Sequence, residues 1–308
     1  MRIGFIGAGK VGFTFGKYLV ERNSTYVSGY YSRTLQSSKE AAQFTNTKYY
    51  ESLGELVKAS DTLILSVPDG SIEEVYNVLK EFDLSGKIIC HCSGALSSHI
   101  FSDIRSRGAY AYSVHPIFAV SSKLTAYQEL SKAYFTIEGD DTYLNQVADF
   151  IRGLGNPVQI ITAKDKVKYH AASVFASNLV IGLYSEAVEL LKSCNFQEEF
   201  AEHALLPLFQ NNCENLVRFG KVAALTGPVE RGDVDTIRRH LEALSNMENA
   251  ELAKHEESKA NITTSGETKM QEIYRLLSQT LVTIAKDKNP ERDYRSLEKL
   301  FGKDVNKR

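Results

Sequence analysis

The chain is poor in residues that staple or punctuate a fold. Of 308 residues, four are cysteines and six are prolines. The cysteines, Cys90, Cys92, Cys194 and Cys213, contain no CxxC pair. They do not make a disulfide framework and point to a reducing, cytoplasmic setting. Cys90-His91-Cys92 has the look of a metal fragment, but no second Cys/His pair lies at zinc-site spacing. No metal is expected, and the two thiols read as small buried residues at a strand end. Charge of one sign is also lacking: 36 basic and 38 acidic side chains leave a net of −2. Nucleic-acid binders usually show a basic excess, so none is expected as a partner. The longest uncharged runs, such as Ala171 to Ser185, have fifteen residues, short of the ~20 that span a bilayer. Met1-Arg2-Ile3 leads straight into a strand-like run with no signal-peptide h-region. The expectation is a cytoplasmic protein without a membrane segment, in which Asn261-Ile262-Thr263 (a glycosylation match) and Arg231-Gly232-Asp233 (an adhesion match) are coincidences.

What is present is a strand–helix alternation followed by helices. The length suggests about two domains. Ile3–Ile6, Tyr26–Tyr31, Lys48–Tyr50, Thr62–Val67, Lys87–Cys92, Ala109–Val114, Tyr134–Glu138 and Val158–Ile161 read as strands. The intervening segments read as amphipathic helices, Ile72 to Lys80 with Ile72, Val75, Val78 and Leu79 on one face. Near-continuous apolar strands between such helices indicate a mostly parallel, doubly wound sheet. After residue 162 only helices are predicted: Lys164 to Lys192 as one long helix, Glu198 to Phe219 with a kink at Pro207, then Val234–Leu244, Thr268–Lys286 and Arg292–Phe301. The expected domains are 1–162, an α/β Rossmann domain, and 163–308, all helical.

Gly7-Ala8-Gly9-Lys10-Val11-Gly12 is a GxGxxG that follows the first strand and opens a helix, the context that gives the motif meaning. Gly7 permits the tight turn, Gly9 lets backbone approach a pyrophosphate, and Gly12 lets helix and sheet pack closely. The helix N-terminus turns free N–H groups toward the phosphates. At the end of the second strand stand Ser32, Arg33 and Thr34, where NAD enzymes place a carboxylate. An arginine between two hydroxyls fits a 2′-phosphate instead, so the cofactor read here is NADP(H). Ser66, Val67 and Pro68 end the next long strand at the carboxyl edge and read as walls of the same pocket. Asp69 reads as a cap.

Further along that edge lie Ser93, which either binds substrate or caps the next turn, and His115. On the predicted long helix His170, Ser173, Ser177 and Asn178 fall within roughly 140° of one another at 100° per residue, with Lys166 one turn earlier. A polar stripe on an otherwise apolar helix needs partners, and a ligand is the reading preferred. Arg231, between two helices, either binds a substrate carboxylate or pairs with an acid of a second subunit. Asp233 reads as the N-cap of the helix after it.

Together GAGKVG, SRT, LSVPD, SGAL, SVHP, KYHAASVFASN and TGPVERGD resemble the Rossmann-like NADP oxidoreductases whose helical second domain carries only an unknown-function label. The wider group includes pyrroline-5-carboxylate reductase, 3-hydroxyisobutyrate dehydrogenase and ketopantoate reductase. The resemblance covers nearly the whole chain. It implies an NADPH-dependent reductase, a homodimer, and a small substrate, a carboxylic acid such as ketopantoate. Ketopantoate reductases carry a Lys and, eight residues on, an Asn on this helix. Here His170 and Asn178 hold that spacing, with Lys166 as a second proton donor. Ser93, His115, Ser177 and Arg231 are the expected substrate contacts. An imine reductase and a non-catalytic NADP(H) sensor or assembly subunit are the alternatives.

Overall fold

The computed structural model describes residues 1–252 and 268–302; Asn261 lies outside them. The chain divides into two compact units, residues 1–180 and 181 onward. In the first, short apolar runs become β1 (Ile3–Ile6), β2 (Val27–Tyr31), β3 (Thr62–Leu65), β4 (Ile88–His91), β5 (Tyr110–Ile117), β6 (Tyr134–Gly139) and β7 (Val158–Ile160). They form one sheet in the order β2-β1-β3-β4-β5-β6-β7. All neighbours are parallel except β5 and β6. Its helices are α1 (Lys10–Arg22), α2 (Leu35–Thr45), α3 (Leu53–Ala59), α4 (Ile72–Leu79), α5 (Leu144–Gly153) and α6 (Lys166–Phe175).

Every residue of β1 and β3 is buried, because helices cover both faces. The two-residue period of a strand sorts the side chains between two cores. Ile3 and Phe5 join Phe13 and Phe15 of α1, Ala41 of α2 and Val147 of α5. Ile6 joins Leu63 and Leu65 with Leu56 of α3 and Tyr76 of α4. Strand order reverses between β1 and β3, and such sheets bind ligands in the crevice beyond the carboxyl ends at that point. Cys90 is buried in the first core with Cys92 packed against it, and among the described residues no cluster of three metal-binding side chains occurs.

Two expectations need correction. Lys48–Tyr50 makes only a bridge from Tyr49 to Tyr30, not a strand. The helix predicted over Lys164–Lys192 is two, α6 and α7 (Asn178–Ser193). The chain turns at Ala176, where ψ is 0°, and the Ser177 hydroxyl folds back onto the Ser173 carbonyl at 2.7 Å, an interaction that competes with helix continuation. That turn breaks the phase relating His170 to Asn178. Within the single chain Val167, Phe175, Leu179 and Ile181 are exposed. By length and composition alone, Ala163–Ser193 is apolar enough to cross a membrane.

The second unit holds most of α7, then α8 (Glu198–Ala204), α9 (Leu206–Ala224), α10 (Pro228–Arg231), α11 (Val234–Leu252), α12 (Lys269–Lys288) and α13 (Arg295–Leu300). Pro207 sits at the start of α9, so the chain breaks between α8 and α9 where a kink was expected. Its core is Val229, Ile237, Val282, Ala285, Tyr294, Leu297 and Phe301. Asp233 caps α11 by accepting from the Thr236 amide at 3.0 Å.

Asn156, just after α5, ties the sheet's far side together. Its amide donates to the carbonyls of Leu130 and Ala133 at 2.8 and 2.9 Å. Its oxygen accepts from the Tyr18 hydroxyl of α1 at 2.6 Å. All of this is buried, so Asn156→Ala leaves several polar groups unpaired and is expected to cost about 2–4 kcal/mol. Urea denaturation measures it; a loss under ~0.5 kcal/mol, the ordinary surface level, contradicts the assignment.

Candidate functional site

A cleft of about 410 Å³ opens beyond the carboxyl ends of β1, β2 and β3. Gly7, Ala8, Gly9, Ser32, Arg33, Thr34, Ser66, Val67 and Pro68 all line it. Gly7 has φ +100° and a Cβ there would meet the Ser66 carbonyl at 2.8 Å. At Gly12 a Cβ would meet the Ser66 hydroxyl at 2.5 Å, so this glycine sets how closely α1 approaches the sheet; neither it nor Lys10 nor Val11 lines the cleft. Ser66 Oγ donates to the Gly7 carbonyl at 3.0 Å, locking the turn to β3. The space above Gly9 is open: a Cβ would find only the Ser66 carbonyl, at 3.9 Å. Gly9 begins α1 with no side-chain cap and no acidic residue in its first turn. The free N–H groups therefore suit an anion.

The cleft also takes in Tyr31, Ser37, Leu53, Ser71, Glu74, Val75 and Val78, which the sequence reading did not assign to it. Val75 and Val78 were visible there as the apolar face of α4. That face is wider than the sheet needs, for Val78 is 45% exposed.

A second group of side chains gathers at the ends of β4 and β5. Lys166, 1% exposed, donates to the Ser93 carbonyl at 2.8 Å and to the Ser113 hydroxyl at 2.7 Å. Burial pushes its amine down to about 8, with Glu138 and Asp69 pulling the other way. Ser93 Oγ donates to Asp69 at 2.7 Å and accepts from the amides of Ala95 and Leu96. Of its two expected roles, capping the turn is the one in place. Glu138 is engaged by the amide and hydroxyl of Ser98. The turn's Gly94 is where two rings converge: a Cβ there would stand 2.9 Å from His115 Nε2 and 2.3 Å from His170 Nδ1. His170 Nδ1 is buried without a hydrogen-bond partner among the described residues. His115 Nδ1 pairs with the Tyr169 hydroxyl at 2.7 Å.

The structure thus brings Lys166, Ser93, His115 and His170 to one corner and adds Tyr169, Gly94, Ser113 and Asp69. Tyr169 escaped the sequence reading because it lies one position, and so 100° of helix, away from His170. Ser177 and Asn178 lie past the break, bonded to each other at 3.2 Å, with Asn178 exposed. Arg231 is exposed at the end of α10, in the other unit. Nitrogen and hydroxyl donors dominate the corner; of its two carboxylates Glu138 accepts through both oxygens and the exposed Asp69 through one. Such a set stabilises negative charge developing on an oxygen.

A Rossmann-like domain model matches residues 1–116, and the model of a domain of unknown function, DUF2520, matches residues 133–281. A protein of Thermotoga maritima has a similar structure, with TM-score 0.70 at 22% identity over 92% of this chain and 98% of that one. The reductive aminase of Aspergillus terreus, solved with NADPH and ethyl-5-oxohexanoate, gives 0.59 at 14% identity over 97% of this chain and 99% of its own. The pyrroline carboxylate reductase of Plasmodium falciparum, solved with NADP, gives 0.55 at 16% identity over 84% and 97%. At these identities the likeness is one of fold. Comparison with curated proteins gave no sequence match.

The rings of His91, buried, and His115, half-buried, carry a pH signature. Burial, foremost, pushes His91 down to about 4 and His115 to about 3, and the Lys166 charge adds to both. The unfolded chain takes up these protons near the ordinary 6.5, the folded chain only at the lower values. Each histidine therefore contributes stability that is present above 6.5 and lost as pH falls through that window, by at most about 1.4 kcal/mol per pH unit. Urea denaturation between pH 7 and 4 is expected to give His115→Gln a shallower decline than the parent chain. Parallel profiles contradict a neutral His115.

Proposed function

We propose that this chain, a Rossmann-like domain continued by a DUF2520 domain, is an NADPH-dependent reductase of a small 2-oxo acid, with ketopantoate as the best single candidate. The observation that carries the reading is the donor corner at Gly94: Lys166, His115 and His170 converge there while Asp69 and Glu138 are held by Ser93 and Ser98. A 2-oxo acid brings a carboxylate and a carbonyl oxygen that gains charge on reduction, and both suit cationic and N–H groups. An iminium substrate would call for a free carboxylate at the same place, and Glu138, the buried one of the two, has both oxygens bonded to Ser98.

Gly7, Ala8 and Gly9 with the α1 N-terminus would hold the pyrophosphate, and Ser32, Arg33 and Thr34 the 2′-phosphate. When bound, the nicotinamide supplies the hydride. Lys166 or His170 delivers the proton to the new alkoxide. An amine lowered to about 8 is well suited, since it gives up a proton near neutral pH and regains it readily. His115 meets the substrate's oxygen. Ser93 frames the turn rather than reaching the substrate, its hydroxyl being fully engaged. The solved reductive aminase and pyrroline carboxylate reductase support reduction of a C=N bond as the second reading.

A second copy of the chain fits the reading as well. Phe175, Leu179, Ile181, Phe200, Val217 and Phe219 are all exposed, and large apolar exposure marks an interface. Lys166 is anchored at the sheet edge, which argues against lifting its helix into a bilayer. A homodimer through 163–308 is expected by light scattering at micromolar concentration. A monomer, or tight binding to vesicles, contradicts it.

The reaction is tested by incubating the protein with NADPH and a panel of 2-oxo acids and cyclic imines, following loss of the reduced nicotinamide absorbance. Turnover of 2-oxo acids is expected, with a strong preference for NADPH that Arg33→Asp reverses or erases. His170→Ala or Lys166→Ala is expected to slow turnover ~10²–10⁴-fold, as loss of a positioned acid does. Imines reduced at rates indifferent to both substitutions would move the assignment to imine reduction. No turnover with any compound would leave a cofactor sensor, and equal affinity for NADPH and NADH would contradict the role of Arg33.

A further inference from the structure

We propose that Tyr169 is a positioning residue whose hydroxyl donates to Nδ1 of His115 and so fixes that ring as the neutral tautomer with its proton on Nε2, aimed at the Gly94 turn to polarise the substrate's carbonyl oxygen. The catalytic part rests on the reductase reading above; the tautomer does not.

The pairing is short and well framed. Oη and Nδ1 are 2.7 Å apart, and the two rings meet edge to face at 83°. The half-buried Tyr169 ring lies under the Lys166 ammonium, 5.7 Å from its centre, beside His115 of β5. A hydroxyl proton removed from water needs an acceptor. The close hydrogen bond that Oη makes is to Nδ1, with the Thr136 and Ser173 hydroxyls also near it, and burial outweighs those two in holding the phenol above its ordinary 10.0, in its protonated form. With Nδ1 accepting, a neutral imidazole must carry its proton on Nε2. That nitrogen packs over Gly94, 2.9 Å from the point where any other residue would put a Cβ, so the ring can stand there only because the turn carries a glycine.

A second observation points to the same place. His170 Nδ1 packs over the same glycine, buried and without a hydrogen-bond partner among the described residues. One ring thus offers a fixed donor and its neighbour an unpaired nitrogen, both standing where only glycine leaves room for them. The groups facing His115 are Lys166, His170, His91 and Tyr169. None is an anion, so nothing there stabilises an imidazolium, and the ring acts as a donor of a hydrogen bond rather than of its charge.

The test is ¹⁵N NMR of the histidine rings in the full chain without ligand, beside turnover on the panel above. His115 is expected to show an unprotonated Nδ1 and a protonated Nε2. In Tyr169→Phe that signature should give way to a mixture of tautomers, while NADPH affinity and melting temperature stay near the parent's. Turnover should fall about ten-fold or more through kcat rather than KM. His115→Gln keeps an N–H donor near the Nε2 position and should retain more activity than His115→Leu. In the His115→Gln background Tyr169→Phe should have no further effect. A proton on Nδ1 in the parent chain, or an unchanged ring spectrum in Tyr169→Phe, overturns the pairing whatever the reaction proves to be. The expected spectra with unaltered turnover in Tyr169→Phe overturn the positioning role alone. If nothing on the panel is turned over, the reductase reading fails and takes the catalytic part with it, while the spectra still decide the tautomer.

Discussion

A single buried ammonium organises the corner where the chemistry is assigned. Lys166 enters the sheet's carboxyl edge from the first turn of α6 and finds two oxygens, the Ser93 carbonyl after β4 and the Ser113 hydroxyl on β5. Removing a charge from water is expensive, and the amine's displacement to about 8 expresses that expense. Two hydrogen bonds and the attraction of Glu138 and Asp69 offset it. The placement fixes more than one side chain. Tyr169 and His170 follow within one turn, so anchoring Lys166 sets both rings against Gly94 and His115. It also explains why the helix goes with the first compact unit although it follows the last strand.

The cleft at the other end of the edge depends on a backbone constraint. Gly7 takes φ +100°, Ser66 closes onto its carbonyl, and Gly12 leaves room for that hydroxyl. Each of these contacts is short enough that a methyl group at either glycine would collide with β3 or with Ser66. The result is an uncapped helix N-terminus facing an open space, with Arg33 on the rim.

Much of this was legible in the sequence, for local reasons. A strand, a GxGxxG turn and a helix occupy consecutive residues, so Gly7 to Gly12 and Ser32 to Thr34 announce themselves without tertiary information. The parallel sheet follows from the apolar strands, since residues such as Leu63 and Ile64 are apolar toward both faces. What stayed hidden depends on contacts between distant segments. Periodicity carried one helix from Lys164 to Lys192 because apolar spacing does not register the turn at Ala176, and the stripe linking His170 to Asn178 inherited that error. Tyr169 pairs with a residue 54 positions earlier, which no local pattern reveals. Ser93 could be read as ligand or cap until Asp69 and two amides were seen on its hydroxyl.

The proposed reaction requires the cleft at Gly7 and the donor corner at Gly94 to be two ends of one site. Amide chemical-shift changes in the full chain on adding NADPH, compared with those on adding its 2′-phospho-ADP-ribose portion, test this directly. Both ligands should perturb Gly7 to Gly12 and Arg33. Only NADPH, which adds the nicotinamide, should also perturb Ser93, Gly94 and His115. Identical maps for the two ligands, with the Gly94 turn untouched, would contradict the claim.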